Sequence, residues 1–245
     1  IYYALHRQNI FYSGQFSDLS QSLVIALFSV AMFVVDDFTK YFVHRWMHNW
    51  SILWAFHKVH HSAETMTPIT VYRVHPAEGI LFGLRSAVSQ GVVISIFFFL
   101  FGNAVDLYTI VGVNILVFFF HMTGSNLRHS HINIRYWKWL EYIFISPAQH
   151  QLHHSIAQEH YDKNFGAALA IWDWLFGSLH LSEEDKEITY GLTGDPAAPK
   201  SIGDMYLKPF TDILNILSGN FTKVQKKMFS SSTEKPFEAR FWPRH

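Results

Sequence analysis

Three long runs without Asp, Glu, Lys or Arg constrain this chain of 245 residues more than any other feature. They cover residues 19–35, 86–105 and 107–127. A helix needs about 20 apolar residues to cross the core of a bilayer. The second and third runs reach that length, and the first does if it continues through residues 36–43. We therefore expect membrane helices at about 19–43, 86–105 and 107–127, with helices of a large soluble core as the alternative.

The distribution of basic residues predicts how such helices would be oriented. No Lys or Arg lies between Arg85 and Arg128, and only Arg7 precedes the first run. The positive-inside rule then places the other basic residues on the cytoplasmic side. We expect one membrane-embedded domain over residues 1–180, with a cytoplasmic cap formed by residues 38–85 and 128–180. Residues 181–245 are expected to form a polar cytoplasmic tail of the same domain.

Composition excludes several classes of protein. The 19 basic and 19 acidic residues cancel, which argues against a nucleic-acid binder. The absence of cysteine excludes disulfides, cysteine zinc sites, iron–sulfur clusters and thiol nucleophiles. Because the sequence begins with Ile1 and not Met, we expect it to be a trimmed fragment. Histidine is the unusual residue, with 16 copies.

Eight of the histidines fall into three motifs in which they are three or four residues apart or adjacent, a spacing typical of one helix face. Residues three or four apart share one face of a helix, so the imidazoles of each group can point the same way. Imidazole suits iron, zinc, copper and nickel, and eight or nine imidazoles are too many for one ion. The pattern predicts two metal ions held by His44 and His48, by His57, His60 and His61, and by His150, His153 and His154.

Other polar residues are candidates for supporting roles. His129 and His131 both offer a ninth imidazole, and His75 and His121 are possible extra ligands or hydrogen-bond donors. Metal-bound imidazoles usually donate their second N–H to an oxygen. Candidates for that oxygen are Asp37, Glu64, Glu78, Asn133 and Asp173, with Asp36 less well placed than Asp37. We expect four further histidines to be ordinary surface residues, namely His6, His160, His180 and His245.

These residues resemble the fatty acid hydroxylase superfamily, which includes sterol desaturases and alkylglycerol monooxygenases. The resemblance covers about residues 20–180. It rests on the three histidine motifs and on the short sequence motifs in and around them, at residues 37–48, 60–64, 73–78, 131–134, 146–150, 164–166 and 172–177. The register of the motif at 131–134 favours His131 over His129 as the ninth ligand. One departure is Gln151, where many members of the family have Arg; we interpret it as a change in the surroundings of the metal site.

The resemblance implies an all-α integral-membrane protein whose helical cap carries a histidine-rich dimetal site. It further implies an oxygenase with two iron ions that uses dioxygen to hydroxylate or desaturate a membrane lipid, such as a fatty acyl chain or a sterol. Zinc can replace iron in purified protein because imidazole sites bind it more tightly than ferrous iron. No flavin, nicotinamide or haem motif is visible in the sequence. The two electrons for each turnover would therefore come from a separate donor of the cytochrome b5, ferredoxin or reductase type.

Two other functions compete with this interpretation. A zinc-dependent membrane hydrolase would use imidazole ligands, but the H-E-x-x-H motif that supplies a general base is absent from the sequence. A non-enzymatic metal-binding membrane protein would be expected to carry ionisable residues at mid-bilayer depth or broken histidine motifs. Only His121 lies within an apolar run, and all three histidine motifs are intact.

Overall fold

The computed structural model describes residues 18–102, 126–183, 187–192 and 198–218, together with positions 118, 122 and 124. Most of the predicted run at 107–127 lies outside the described residues, and so does His121. The helices are α1 (Gln21–Asn49), α2 (Ser51–His61), α3 (Pro76–Phe101), α4 (Pro147–His153), α5 (Ile171–Leu175) and α6 (Ile202–Leu217). Short 3-10 turns cover Pro68–Tyr72, Leu140–Tyr142 and Gln158–His160.

The expected all-α class is confirmed. Within the described ranges the chain forms no strand, and β-pairing is limited to two isolated bridges, Phe144 with Leu169 and Ser155 with Tyr190. Two helices, α1 with 29 residues and α3 with 26, are long and apolar enough to cross a membrane. A row of apolar side chains one helical turn apart lies exposed on α3, at Ile80, Leu84, Val88, Val92 and Ile96. Such a row is unfavourable in water, which favours a membrane over a soluble core.

The chain divides into two compact units, and the first contains residues 1–39 and 83–123. Its core is built from aromatic and aliphatic side chains of α1 and α3, with the rings of Phe28 and Phe97 5.2 Å apart in edge-to-face contact. Arg85 on α3 forms a buried ion pair with Asp36 on α1, with 2.9 Å between Nη2 and Oδ1. Asp36 is therefore occupied in joining two helices of this unit. Because Asp36 pairs with Arg85 while Phe28 meets Phe97, the two helices run antiparallel here.

The second unit contains residues 40–82 and 124–245, and it holds every histidine motif. Helix α1 begins in the first unit and ends in the second. A single extended residue, Trp50 (φ −107°, ψ 119°), separates α1 from α2. The indole of Trp50 stacks on that of Trp46 at 5.5 Å, which helps to fix this break. The break redirects the chain so that the histidines of α2 meet those of α1.

Helix α4, which carries the third histidine motif, has a clear start signal in the sequence. Ser146 caps the helix by accepting from the backbone N–H of Gln149, and the Gln149 side chain accepts from the backbone N–H of Ser146. Pro147 occupies the first turn, where its missing N–H costs nothing. Such a reciprocal cap gives a helix of only seven residues a defined beginning.

The region expected to be a polar tail contains a helix. Helix α6 is capped at its N-terminus by Ser201, whose hydroxyl accepts from the backbone N–H of Asp204. It packs on α2 in the second unit through an ion pair between Lys58 and Asp212. Pro209 lies inside this helix. A proline there usually signals an end to helix, which is why the sequence pattern did not predict α6.

Candidate metal centre

Five histidines from three helices converge in one group. Their ligand nitrogens all lie within 4.8 Å of one another, and the group contains His44 and His48 of α1, His57 and His61 of α2, and His153 of α4. In both α1 and α2 the two contributing residues are four apart. The predicted sharing of one helix face is therefore what brings each pair to the group.

The outer nitrogens of this group are held by oxygens. The Nδ1–H groups of His44 and His153 donate to the backbone carbonyls of Phe165 and Lys163, at 2.8 Å and 2.7 Å. The Nδ1 atom of His57 lies 3.0 Å from Oε1 of buried Glu78. These contacts fix the ring orientations and leave Nε2 as the free ligand atom.

The inner nitrogens of the same group are buried without partners. Across the described part of the chain, Nε2 of His48, His57, His61 and His153 has no hydrogen-bond partner. A buried polar atom without a partner costs free energy, and four such atoms that converge on one place are unusual in a folded protein. A metal ion bound between them would satisfy all of them at once.

Four more histidines form a second group, made of His60, His129, His150 and His154. The Nε2 atom of His129 lies 3.0 Å from Nε2 of His60 and 3.0 Å from Nε2 of His150. Nitrogens bonded to one ion at about 2.1 Å and at right angles lie about 3.0 Å apart. A single ring nitrogen has one hydrogen or one lone pair, so two full hydrogen bonds at His129 Nε2 are not available. These distances therefore fit shared metal ligation better than hydrogen bonding.

Each of the second and third histidine motifs contributes to both groups. On α2, His57 and His61 belong to the first group and His60 to the second. In the third motif, on α4 and at its C-terminal end, His150 and His154 belong to the second group and His153 to the first. The rings of His61 and His154 stack with centroids 4.4 Å apart, so the two groups are adjacent. The arrangement fits two neighbouring ions.

Burial keeps imidazoles of both groups neutral. It lowers the pKa of His57 to about 3 and that of His60 to about 4, from an ordinary value of 6.5. Burial, followed by repulsion from neighbouring histidines, holds the pKa of His61, His150 and His154 well below that value. A neutral imidazole keeps the lone pair that a metal needs.

A tight loop after the third motif presents the carbonyl that orients His44. Asn164 adopts a left-handed backbone (φ 56°), and a side chain at Gly166 would lie 2.6 Å from the carbonyl oxygen of Leu169. The fully buried Asp173 accepts from the backbone N–H groups of Phe165 and Gly166, at 2.8 Å and 2.7 Å. Burial raises the pKa of Asp173 to about 6. Asp173 therefore acts through the backbone of this loop and has no direct contact of this kind with a histidine.

The structure places His129, and not the favoured His131, beside the other histidines of the second group. His129 is buried among the second group, whereas His131 and Asn133 are exposed. The side chain of Gln151 donates to the carbonyls of Ser130 and Ile132, at 2.8 Å and 2.9 Å. These bonds fix the segment so that His129 points inward. Gln151, which departs from the family pattern, thus has a positioning role that the sequence did not reveal.

The other predicted supporting residues are not members of the two groups of histidines. His75 accepts from the backbone N–H of Ala77 through Nδ1 and donates through Nε2 to the carbonyl of Tyr206. Glu64 is exposed. Asp37 is fully buried on α1, and the Nδ1–H of the nearby His44 donates to the carbonyl of Phe165. Among the predicted carboxylates, Glu78 makes a hydrogen bond to a histidine of the first group.

Comparison with known proteins identifies relatives among lipid-modifying enzymes. A family model described as fatty acid hydroxylase matches residues 29–178. The human alkylglycerol monooxygenase is 29% identical over 161 residues, which are 66% of this chain and 32% of that protein. The ornithine lipid hydroxylase OlsE of Rhizobium tropici is 29% identical over 164 residues, 67% of this chain and 45% of that protein.

A third relative widens the range of chemistry. The Delta(7)-sterol 5(6)-desaturase ERG3B of Gibberella zeae is 27% identical over 148 residues, 60% of this chain and 41% of that protein. The chain thus spans between a third and a half of the length of these relatives. No solved structure shows a significant match to it.

Proposed function

The chain belongs to the fatty acid hydroxylase family, and from this membership we propose that it is a membrane-bound, dioxygen-dependent oxygenase with two iron ions. Its substrate is a membrane lipid, in which it either replaces a hydrogen with a hydroxyl group whose oxygen comes from dioxygen or removes two hydrogens to leave a double bond. The relatives named above include lipid hydroxylases and a sterol desaturase, which supports both outcomes.

The observation that carries the proposal is the convergence of nine imidazoles in two adjacent groups, seven of them buried and two, His44 and His48, half-buried. One ion would be held by His44, His48, His57, His61 and His153, and the other by His60, His129, His150 and His154. The donor set fits iron because imidazole is a ligand that iron accepts. Two bound irons would supply the ability to activate dioxygen, which protein side chains lack.

The residues around the histidines prepare the site for this chemistry. The Phe165 ring packs against His44, His48 and His153 with centroids 5.2–5.7 Å away. The Trp54 ring lies 5.1 Å from His48 and 5.4 Å from His61. These rings cover part of the first group, and the carbonyls of Phe165 and Lys163 fix the orientations of His44 and His153. A dry, rigid donor set protects a strong oxidant from side reactions.

The partners follow from the chemistry and from the helices. A lipid substrate would reach the enzyme from the bilayer that α1 and α3 are able to cross. Reduction of dioxygen to one hydroxyl group and one water consumes two electrons, so a separate cytochrome b5, ferredoxin or reductase would supply them. The positive-inside pattern supports a cytoplasmic location for the histidine groups, where such donors are found.

The proposal is tested by lipid turnover in the presence of labelled dioxygen. Purified protein in lipid vesicles is supplied with ferrous iron, a chemical or protein reductant and isotopically labelled dioxygen, and the lipids are analysed by mass spectrometry. We expect a lipid that gains one labelled oxygen or loses two hydrogens, with no product from a His153→Ala variant. Hydrolysed lipid without label would favour the hydrolase, and the same product from the variant would refute the site.

A further inference from the structure

A third set of metal-ligating side chains lies outside the two histidine groups. It consists of His160, His180 and Glu183, whose ligand atoms all lie within 4.8 Å of one another. Oε1 of Glu183 is 2.9 Å from Nε2 of His180 and 3.4 Å from Nε2 of His160. The two imidazole rings are 5.2 Å apart. The expectation that both histidines are surface residues is wrong for His160, because that residue is buried.

The fold holds two of the three side chains in place before any ion binds. The backbone of His180 is fixed on both sides by Asn164, which accepts from its N–H at 2.8 Å and donates to its carbonyl at 2.9 Å. His160 ends a short 3-10 turn, and its side chain is 1% exposed. The side chains of His180 and Glu183 are 26% and 30% exposed. The set is therefore preorganised on its inner side and open to solvent on its outer side.

Hydrogen bonding alone satisfies His180 at 2.9 Å but leaves His160 poorly satisfied. A charged hydrogen bond from imidazole to carboxylate is expected at about 2.7–2.9 Å, shorter than the distance from His160 to Glu183. Nδ1 of His160 is buried and, as far as the chain is described, has no hydrogen-bond partner. The imidazole of His160 thus has one long polar contact. Two ligands of a tetrahedral ion at about 2.1 Å lie about 3.4 Å apart. This matches the 3.4 Å between Nε2 of His160 and Oε1 of Glu183.

We propose that His160, His180 and Glu183 form a third metal site for a divalent transition ion of the zinc class. Two imidazoles and one carboxylate favour such an ion over magnesium or calcium, which prefer oxygen ligands. Three protein ligands leave a fourth position for water on the exposed side.

A bound ion would connect the turn at residues 158–160 to the segment at 180–183. Asn164 joins this segment to the loop whose Phe165 carbonyl orients His44. The third ion would therefore stabilise the loop that orients His44, without itself contacting the first histidine group. The proposal does not depend on the proposed oxygenase function.

The site is tested by measuring zinc binding to the purified 245-residue chain. Ions per chain are counted by mass spectrometry after equilibration with zinc and removal of loosely bound metal, and the zinc affinity is measured by titration. We expect His180→Ala to bind one ion fewer than the unmodified chain. Glu183→Gln, which keeps the shape of the side chain, should bind the third ion about tenfold more weakly or worse. The exposed residues His131 and Glu187 provide matched controls, since His131→Ala and Glu187→Gln should leave the count and the affinity unchanged.

Thermal unfolding with and without zinc gives a second measurement. In excess chelator Glu183→Gln should unfold at about the temperature of the unmodified chain, and added zinc should stabilise the unmodified chain more than the variant. Should His180→Ala fail to fold, Glu183→Gln carries the test alone. An unchanged ion count and affinity in Glu183→Gln would overturn the third site. Loss of an ion in His153→Ala bears on the oxygenase site alone, so the two proposals fail separately.

Discussion

The buried ion pair between α2 and α6 allows a quantitative test of how the second unit is held together. Nζ of Lys58 lies 2.5 Å from Oδ2 of Asp212, and the two side chains are only 4% and 8% exposed. Lys58 directly follows His57 on the helix that supplies three histidines to the metal groups. The rings of Phe56 and Phe210 meet 5.6 Å apart across the same two helices. The pair therefore anchors α6 to the helix that carries the second histidine motif.

The perturbation is Lys58→Met, which keeps the length of the side chain and removes its charge. Asp212 would then be a buried carboxylate without its cation, and breaking such a pair costs about 3–5 kcal/mol. For a protein of this size each kcal/mol lowers the unfolding temperature by about 2–4 °C, so we expect a fall of about 10 °C. Replacing both residues, as in Lys58→Met with Asp212→Leu, removes the stranded charge and should recover most of this loss.

Thermal unfolding in detergent with excess chelator measures the effect without a contribution from bound metal. Asp212→Leu alone completes the double-mutant cycle, and it should also destabilise the protein because it strands Lys58. A fall of less than about 3 °C in Lys58→Met would mean that water reaches the pair and screens it. A double variant no more stable than either single variant would also refute the reasoning.

Further predictions concern the histidine groups. Glu78→Gln keeps an acceptor for His57 but removes the charge, so metal binding should weaken about tenfold, and unchanged affinity in a titration would contradict this. His129→Ala should lose one bound ion and His131→Ala none, as counted by mass spectrometry; the opposite result would restore His131 as the ligand. The metal-free protein should lose stability as the pH falls from 6.5 toward 4. The pKa of His57 and His60 is about 3 and about 4 in the folded chain, so the unfolded chain, with an ordinary value of 6.5, binds more protons in this range. Each histidine should contribute about 1.4 kcal/mol per pH unit, and denaturant unfolding at several pH values in chelator would show a flat profile if this were wrong.

Local spacing was sufficient to predict much of the fold and of the candidate site. The charge-free runs predicted the apolar parts of α1 and α3, because a segment that can cross a bilayer is recognised by its length and apolar composition alone. The spacing of four residues predicted that His44 and His48 lie together, as do His57 and His61. These are properties of single helices, and no knowledge of tertiary packing is needed to see them.

Features that depend on contacts between distant segments could not be predicted. The assignment of His60 and His153 to opposite groups follows from how α2 faces α4. The choice of His129 over His131 depends on the two hydrogen bonds that Gln151 makes to the intervening backbone. The carbonyl of Phe165 has no side-chain signature in the sequence. The closest signal in the sequence is the motif from Asn164 to Gly166. Its residue types favour a tight loop, but they do not indicate that the loop contacts His44.

The dependence of metal content on each histidine group is the most direct test of the central claim. Protein from iron-supplemented cells is purified in unmodified form and as His153→Ala, His150→Ala and the double variant, and bound metal is counted by mass spectrometry. Two separate ions predict that each single substitution lowers the count by one and that the double substitution lowers it by two, with iron as the metal lost. Equal metal content in all four proteins would contradict the dimetal site.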